Sequence, residues 1–326
     1  MMNAAGSTHS AAMPKGLKIR GSWKKTAILL SMVAPGTIWL ILLRYLPMFG
    51  VVLAFQNYQI FYKEPGLVNN ILHSPFVGFQ NFEYLYKSTQ TWIMVRNTLG
   101  YNITFIIVGI VIPVAFAILL SELTRKRLAK TYQTMMFFPF FLSWVVVSYF
   151  LYAFFIPGDG MIVHLQQSLG LPATDWYGDP KPWPLILLIT NEWKNVGYTC
   201  IMYLATITGI DAALFEAARI DGASKWQQVR HITLPFLRPI VIILFIINVG
   251  RIFNSDFGLF FTVPRDTGAL IPATQVMDTY VYRALINTGD IGMSTAAGLF
   301  QSLVGFVLIL ATNAIVNKAD PESAMF

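Results

Sequence analysis

Six apolar stretches near 20 residues long run through the chain, separated by segments that collect most of its Gly, Pro, Asn and charged positions. An α-helix needs about 20 apolar residues to cross a hydrocarbon core about 30 Å thick. The pattern predicts spans at about 27–45 (with continuation to 55 left open), 98–120, 135–156, 184–210, 240–261 and 291–316. Arg44 and Pro47 mark where the first bends or leaves the bilayer, and an arginine near a span end can snorkel to the headgroups. Pro113 interrupts the second, and Pro139 predicts a kink near the start of the third. The fourth carries Asn191, Glu192, Lys194 and Asn195, and the second half of the fifth carries Asn248, Arg251, Asn254 and Asp256. Charges at mid-membrane cost at least a few kcal/mol each on insertion scales, so such residues face a bundle interior or a wet cavity.

The segment 56–96 mixes Asn, Gly and Pro with aromatics such as Tyr58, Tyr62, Phe76, Phe79, Phe82, Tyr84 and Tyr86. It reads as an external loop with interface-lying helices, and 157–183 and 262–290 read as further external loops. Between the fourth and fifth spans the polar stretch EAARIDGASKWQQVRHITLPFLRP stands out. Asp211 can cap a helix holding Leu214, Ala217 and Ala218, and Gly222 is a natural stop. A second short helix can begin at Ser224, place Trp226, Val229 and Ile232 near one face, and end at Pro235. Periodicity alone fits a short amphipathic helix on the membrane surface equally well.

Composition agrees with a membrane protein: 12% of residues are charged, 55% are hydrophobic and mean hydropathy is +0.57. A soluble domain carries about twice that charged fraction. The chain is therefore expected to be an all-α polytopic membrane protein with a tail at 1–26, a six-span transmembrane domain at 27–316 containing the polar loop 211–239, and a second tail at 317–326. The first apolar run is too long for a signal-peptide core and lacks a small-residue cleavage site after it, so it reads as a retained span.

A net charge of +7 would suggest nucleic acid in a soluble protein, but its distribution explains it here. Fourteen Lys and Arg fall on the side of the two tails and the loops after spans two and four, including Lys15, Lys18, Arg20, Lys24 and Lys25, the cluster Arg125, Lys126, Arg127 and Lys130, and Lys318. The opposite loops hold six: Lys63, Lys87, Arg96, Lys181, Arg265 and Arg283. Cytoplasmic loops retain basic residues, which puts both termini and 211–239 in the cytoplasm. No nucleic-acid role is needed.

Catalytic signatures are missing. There is no GxxxxGK[ST] phosphate loop, so ATP hydrolysis by this chain is not expected. No HExxH, Cys-rich or GxSxG pattern occurs, and His9, His73, His164 and His231 are scattered in sequence. Cys200 stands alone, which excludes an internal disulfide and a Cys-based metal site. No bound cofactor is expected.

The polar loop carries a specific pattern: Glu216-Ala217-Ala218, three residues, Gly222, nine residues, then Ile232, Leu234 and Pro235, with Asp221 and Ala223 flanking the glycine. It resembles the cytoplasmic signature of the inner-membrane permease subunits of binding-protein-dependent ABC importers. RYLPMFGVVLAFQNY, PFVGFQNFEYLY, RNTL and FFPFFLSWVV are similar to the permeases for complex sugars within that family.

The resemblance implies a maltose-permease-like fold of six spans in a bacterial cytoplasmic membrane. Its signature forms coupling helices seated in a groove on a cytoplasmic ATPase, so closure of two ATPases around ATP and Mg switches the spans between inward-open and outward-open states. The implied partners are two ATPase subunits, a second permease subunit expected to be a different chain, a periplasmic or extracellular solute-binding protein meeting 56–96 and 262–290, membrane lipid, and an oligosaccharide or polysaccharide cargo, with alginate the candidate. Trp226 would fill a pocket on the ATPase. Glu216 would either pair with a basic group there or stabilise a helix N-terminus.

Glu192, Lys194, Asn195, Tyr198, Asn248, Arg251 and Asn254 are the candidates for the translocation path. An intramembrane ion pair of Glu192 with Arg251 is the competing account of those two charges. Trp193, Tyr198 and Tyr203 can stack on sugar rings or simply pack. A uronic-acid polymer would favour cations, for which Lys194 and Arg251 are available. The rival function is an ion-gradient-driven secondary transporter or channel using the same charges as a relay; a membrane-embedded enzyme ranks below both.

Overall fold

The computed structural model describes residues 23–61, 66–87, 89–321 and 324. His9, Lys15, Lys18, Arg20, Tyr62 and Lys63 lie outside the described residues, as do the side chains of Lys24, Tyr84 and Tyr86 and parts of both tails. The chain forms two compact units, Met1–Gly50 and Val51–Phe326.

In the first unit, α1 (Trp23–Leu40) runs through Pro35 and widens to a π turn at Ile41–Tyr45 before a 3-10 helix opens at Leu46. The widened turn precedes Pro47, whose ring would crowd the carbonyl four residues back in a regular α-helix. Lys25–Phe55 is therefore one helical stretch of 31 residues, so the first span continues to Phe55.

The second unit contains α2 (Leu67–His73), α3 (Gln80–Lys87), α4 (Thr89–Ser121), α5 (Lys126–Phe137), α6 (Trp144–Phe155), α7 (Met161–Ser168), α8 (Trp183–Thr208), α9 (Ala212–Ile220), α10 (Lys225–Gln228), α11 (Leu234–Gly250), α12 (Ile271–Thr274), α13 (Met277–Thr288) and α14 (Ile291–Ala319). No strand occurs among the described residues beyond one isolated bridge between Gln56 and Phe76. Four helical stretches are long and apolar enough to cross a membrane, or six when each of two bent pairs counts as one span.

Three expectations are corrected. The third span starts at Lys126, and the kink expected at Pro139 is a break: a 3-10 turn at Phe138–Phe141 leads into a 98° bend before α6. The Ser143 hydroxyl accepts the Val146 N–H and restarts the helix. Pro235 does not end a helix, because a π turn at Val229–Thr233 absorbs its ring and Lys225–Gly250 is continuous. The fifth span consequently begins in the polar loop and stops at Gly250, short of the expected 261. The segment 262–290, expected as a loop, folds into α12 and α13. Asn97 donates to the carbonyls of Pro272 and Gln275, and Thr98 accepts the Met277 N–H, which ties this segment to the N-terminal part of α4.

α4 and α8 form the spine. One buried cluster joins Tyr101, Val147, Trp183, Leu187 and Phe260; another joins Ala117, Cys200, Tyr203, Leu204 and Leu237. Cys200 is thus a packing residue. Small residues let the backbones approach, as membrane helices require where burial from water gives no drive. Gly197 of α8 meets the backbone of Met136, and Gly305 of α14 meets the carbonyl of Gly250.

Candidate functional site: a polar cavity and the exposed turn that joins its walls

The polar loop folds as two helices around a tight turn. The Asp211 carboxylate accepts the Ala213 N–H at 2.9 Å and caps α9. Gly222 ends that unit with φ +80°, a left-handed conformation that favours glycine. Ala223 N–H returns to the Ala218 carbonyl at 2.8 Å. Ser224 then opens α10 with a capping box: its hydroxyl accepts the Gln227 N–H, and the Gln227 side chain accepts the Ser224 N–H.

Glu216, Ala217, Asp221 and Gly222 are exposed, and Ala218 and Ala223 are half-buried. Trp226 is 68% exposed, whereas Val229 is buried and Ile232 half-buried; Leu234 and Pro235 are exposed. Glu216 lies beyond the first turn of α9, which holds no acidic residue, so stabilising that N-terminus falls to Asp211. Lys225 pairs with Glu122 at 2.5 Å, joining the start of α10 to the end of α4.

The second feature is a cavity of about 450 Å³ bounded by α4, α8 and the end of α11. Glu192, Asn195, Tyr198, Asn248, Arg251 and Asn254 all line it, with Asn102 and Asn191 beside them. Lys194 does not. Successive helix positions are 100° apart, so a residue two places from Glu192 faces the far side of α8. There the Lys194 ammonium donates to the Phe140 carbonyl at 2.8 Å and lies 5.4 and 5.2 Å from the ring centroids of Phe140 and Trp144. Glu192 and Arg251 share the cavity without forming an ion pair; the Glu192 carboxylate instead accepts from the Asn191 amide at 3.4 Å. Tyr198 stacks on Phe140 with centroids 4.7 Å apart, while Tyr203 is fully buried and Trp193 faces outward on α8.

Arg251 and Asn254 reach the cavity because the helix stops. The stretch after Gly250 is irregular and is held from three other helices: Asn102 of α4 donates to the carbonyls of Ile252 and Asn254, Gln301 of α14 donates to the Phe253 carbonyl, and Asp278 of α13 accepts the Ser255 N–H at 2.7 Å. Irregular backbone among membrane-spanning helices is tolerated only where protein or a wet cavity satisfies it. Sequence reasoning passed over Asn102 and Gln301. Their signal was present, since each is an amide inside an otherwise apolar span, and discontinuous membrane helices mark transporter binding sites. Among the described residues no group of three His, Cys, Asp or Glu is placed to hold a metal ion.

A polar cavity between helices, a broken helix beside it and an exposed turn linking its walls fit a multi-span transport permease. The chain belongs to the family of binding-protein-dependent transport system inner membrane components, whose pattern it matches over residues 109–321, and is thus the permease of an ABC importer. It is 31% identical over 89% of its length to the polygalacturonan/rhamnogalacturonan transport system permease protein YteP of Bacillus subtilis, covering 88% of that protein. It is 30% identical to protein LplB of the same organism, covering 94% of both chains. Among solved structures, it superposes with a TM-score of 0.81 at 29% identity on a chain of the bacterial alginate ABC transporter in complex with alginate pentasaccharide-bound periplasmic protein, covering 91% of this chain and 96% of that one.

Proposed function

We propose that this chain is one membrane half of an ATP-driven importer that passes an acidic oligosaccharide or polysaccharide, with alginate the candidate, from a solute-binding protein to the cytoplasm. The observation that carries this reading is the hairpin 183–250. Its two arms, α8 and α11, wall the cavity, and its tip is the exposed turn around Gly222. A load on the tip is therefore delivered to both cavity walls. The tip docks on a cytoplasmic ATPase, two of which hydrolyse ATP with Mg; Ala217 and Ala218 permit close approach and Trp226 supplies an anchor. A second, different permease chain completes the path, and the solute-binding protein meets 56–96 and 262–290 on the opposite side. Both termini are cytoplasmic, and this chain binds no cofactor of its own.

The cavity suits a saccharide. Amides present both donors and acceptors to hydroxyls, Tyr198 offers a ring face, and Arg251 offers a cation to a carboxylate. The acidic class is supported by the likeness to permeases of alginate and polygalacturonan systems. The test is purification from native membranes with identification of co-purifying chains, followed by uptake into proteoliposomes. Uptake that requires ATP inside and the binding protein outside supports the reading; uptake that follows an ion gradient without ATP replaces it with a secondary transporter.

Arg251 gives a sharper prediction. Arg251→Met should lower uptake of an acidic saccharide at least about tenfold, a transition-state loss near 1.4 kcal/mol, while ATPase co-purification stays at the wild-type level. Unchanged uptake would remove Arg251 from the path.

A further inference from the structure

A second cavity, of about 640 Å³, opens between the outer ends of α4 and α8 and is closed at one side by Pro272 and Ala273. We propose that it binds an anionic phospholipid of the surrounding bilayer, with the phosphate between Arg96 and Lys181 and an acyl chain along Gly100, Thr104, Leu185 and Leu188.

The placement follows from how the two helices run. A side chain on Gly109 of α4 would touch the Glu192 carboxylate of α8, and residues 96–104 share one cavity with 180–188, so the two helices lie side by side and run in the same direction. That brings the level of Arg96 to the level of Lys181, with apolar groove below both. This end lies opposite the turn at Gly222, at the other headgroup layer.

Among the described residues, neither cation is paired with a carboxylate. Arg96 is exposed and donates to the neutral Asn97 side chain at 3.1 and 3.3 Å. Asp179, the acid nearest in sequence to Lys181, accepts that residue's backbone N–H at 3.0 Å; among the described residues no ion pair forms at the Lys181 ammonium. Basic pockets between membrane helices attract anionic headgroups. An apolar helix of a partner chain in the same groove would have to desolvate both charges without pairing them, so a lipid with an anionic head and an apolar tail is the better match. The groove also has room, because a side chain added at Gly100 would meet nothing within 4 Å.

The experiment is native mass spectrometry of the protein, purified in its own assembly, in micelles doped with equal amounts of phosphatidylglycerol and phosphatidylcholine. Phosphatidylglycerol should be retained at least about fivefold over phosphatidylcholine. Arg96→Gln with Lys181→Gln should bring the two lipids to parity, Arg96→Lys with Lys181→Arg should keep the preference, and Gly100→Trp should displace the lipid with both cations in place. Equal retention of the two lipids by the wild type overturns the proposal. So does a preference that survives both the double glutamine variant and Gly100→Trp, or cross-linking from Leu185→Cys that reaches a partner chain instead of lipid.

Discussion

Gly222→Val is expected to cut ATP-driven uptake at least about tenfold while the protein stays in the membrane at its normal level. The backbone at 222 has φ +80°, a region that costs an L-residue about 1–2 kcal/mol and is worst for a β-branched one. Valine therefore pulls the turn toward another conformation, and with it the register between α9 and α10. The damage is not a packing clash, since a Cβ at 222 meets nothing within 4 Å. That separation supplies the control. Asparagine tolerates the left-handed conformation, so Gly222→Asn should keep substantially more uptake and ATPase co-purification than valine. If the valine variant imports at the normal rate, the turn is not the coupling element.

Gly197→Leu is expected to remove most folded protein. A side chain at 197 would fall inside contact distance of the Met136 carbonyl and the Phe137 nitrogen. Both are backbone atoms, and a backbone at a helix crossing cannot rotate away as the end of a side chain can. Overpacking costs about 1–3 kcal/mol where side chains adjust, and a main-chain obstacle should exceed that, a large share of the 5–15 kcal/mol typical of folded domains. The measurement is the monodisperse yield after detergent extraction, expected to fall at least about tenfold. Gly298→Leu, where a Cβ meets nothing within 4 Å, should leave the yield near normal. Equal yields for the two variants would show that α5 and α8 do not approach as described.

The two glycines illustrate different levels of legibility. Gly222 could be read from the sequence because its reasons are local: an aspartate cap eleven residues earlier, a serine capping box just after, and a residue spacing shared with a known permease signature. Gly197 could not, because its reason is Met136, far away in the chain. The same division runs through the cavity. The amides and charges of α8 were conspicuous against an apolar background, but adjacent polar positions on one helix point in different directions. Lys194 accordingly turns to Phe140 and Trp144 while Glu192 faces the cavity.

What the sequence by itself determined about this protein was its six-span helical class, the apolar runs that cross the membrane and the caps of the helix–turn–helix. These depend on transfer of apolar length into lipid and on hydrogen bonds within a few residues. The tertiary structure alone decided that the third span breaks at Phe138–Phe141, that the fifth runs through Pro235 and stops at Gly250, and which polar side chains meet. The segment after Gly250 remains irregular because Asn102, Asp278 and Gln301 satisfy its backbone. Those partners come from three other helices, and only packing brings them together.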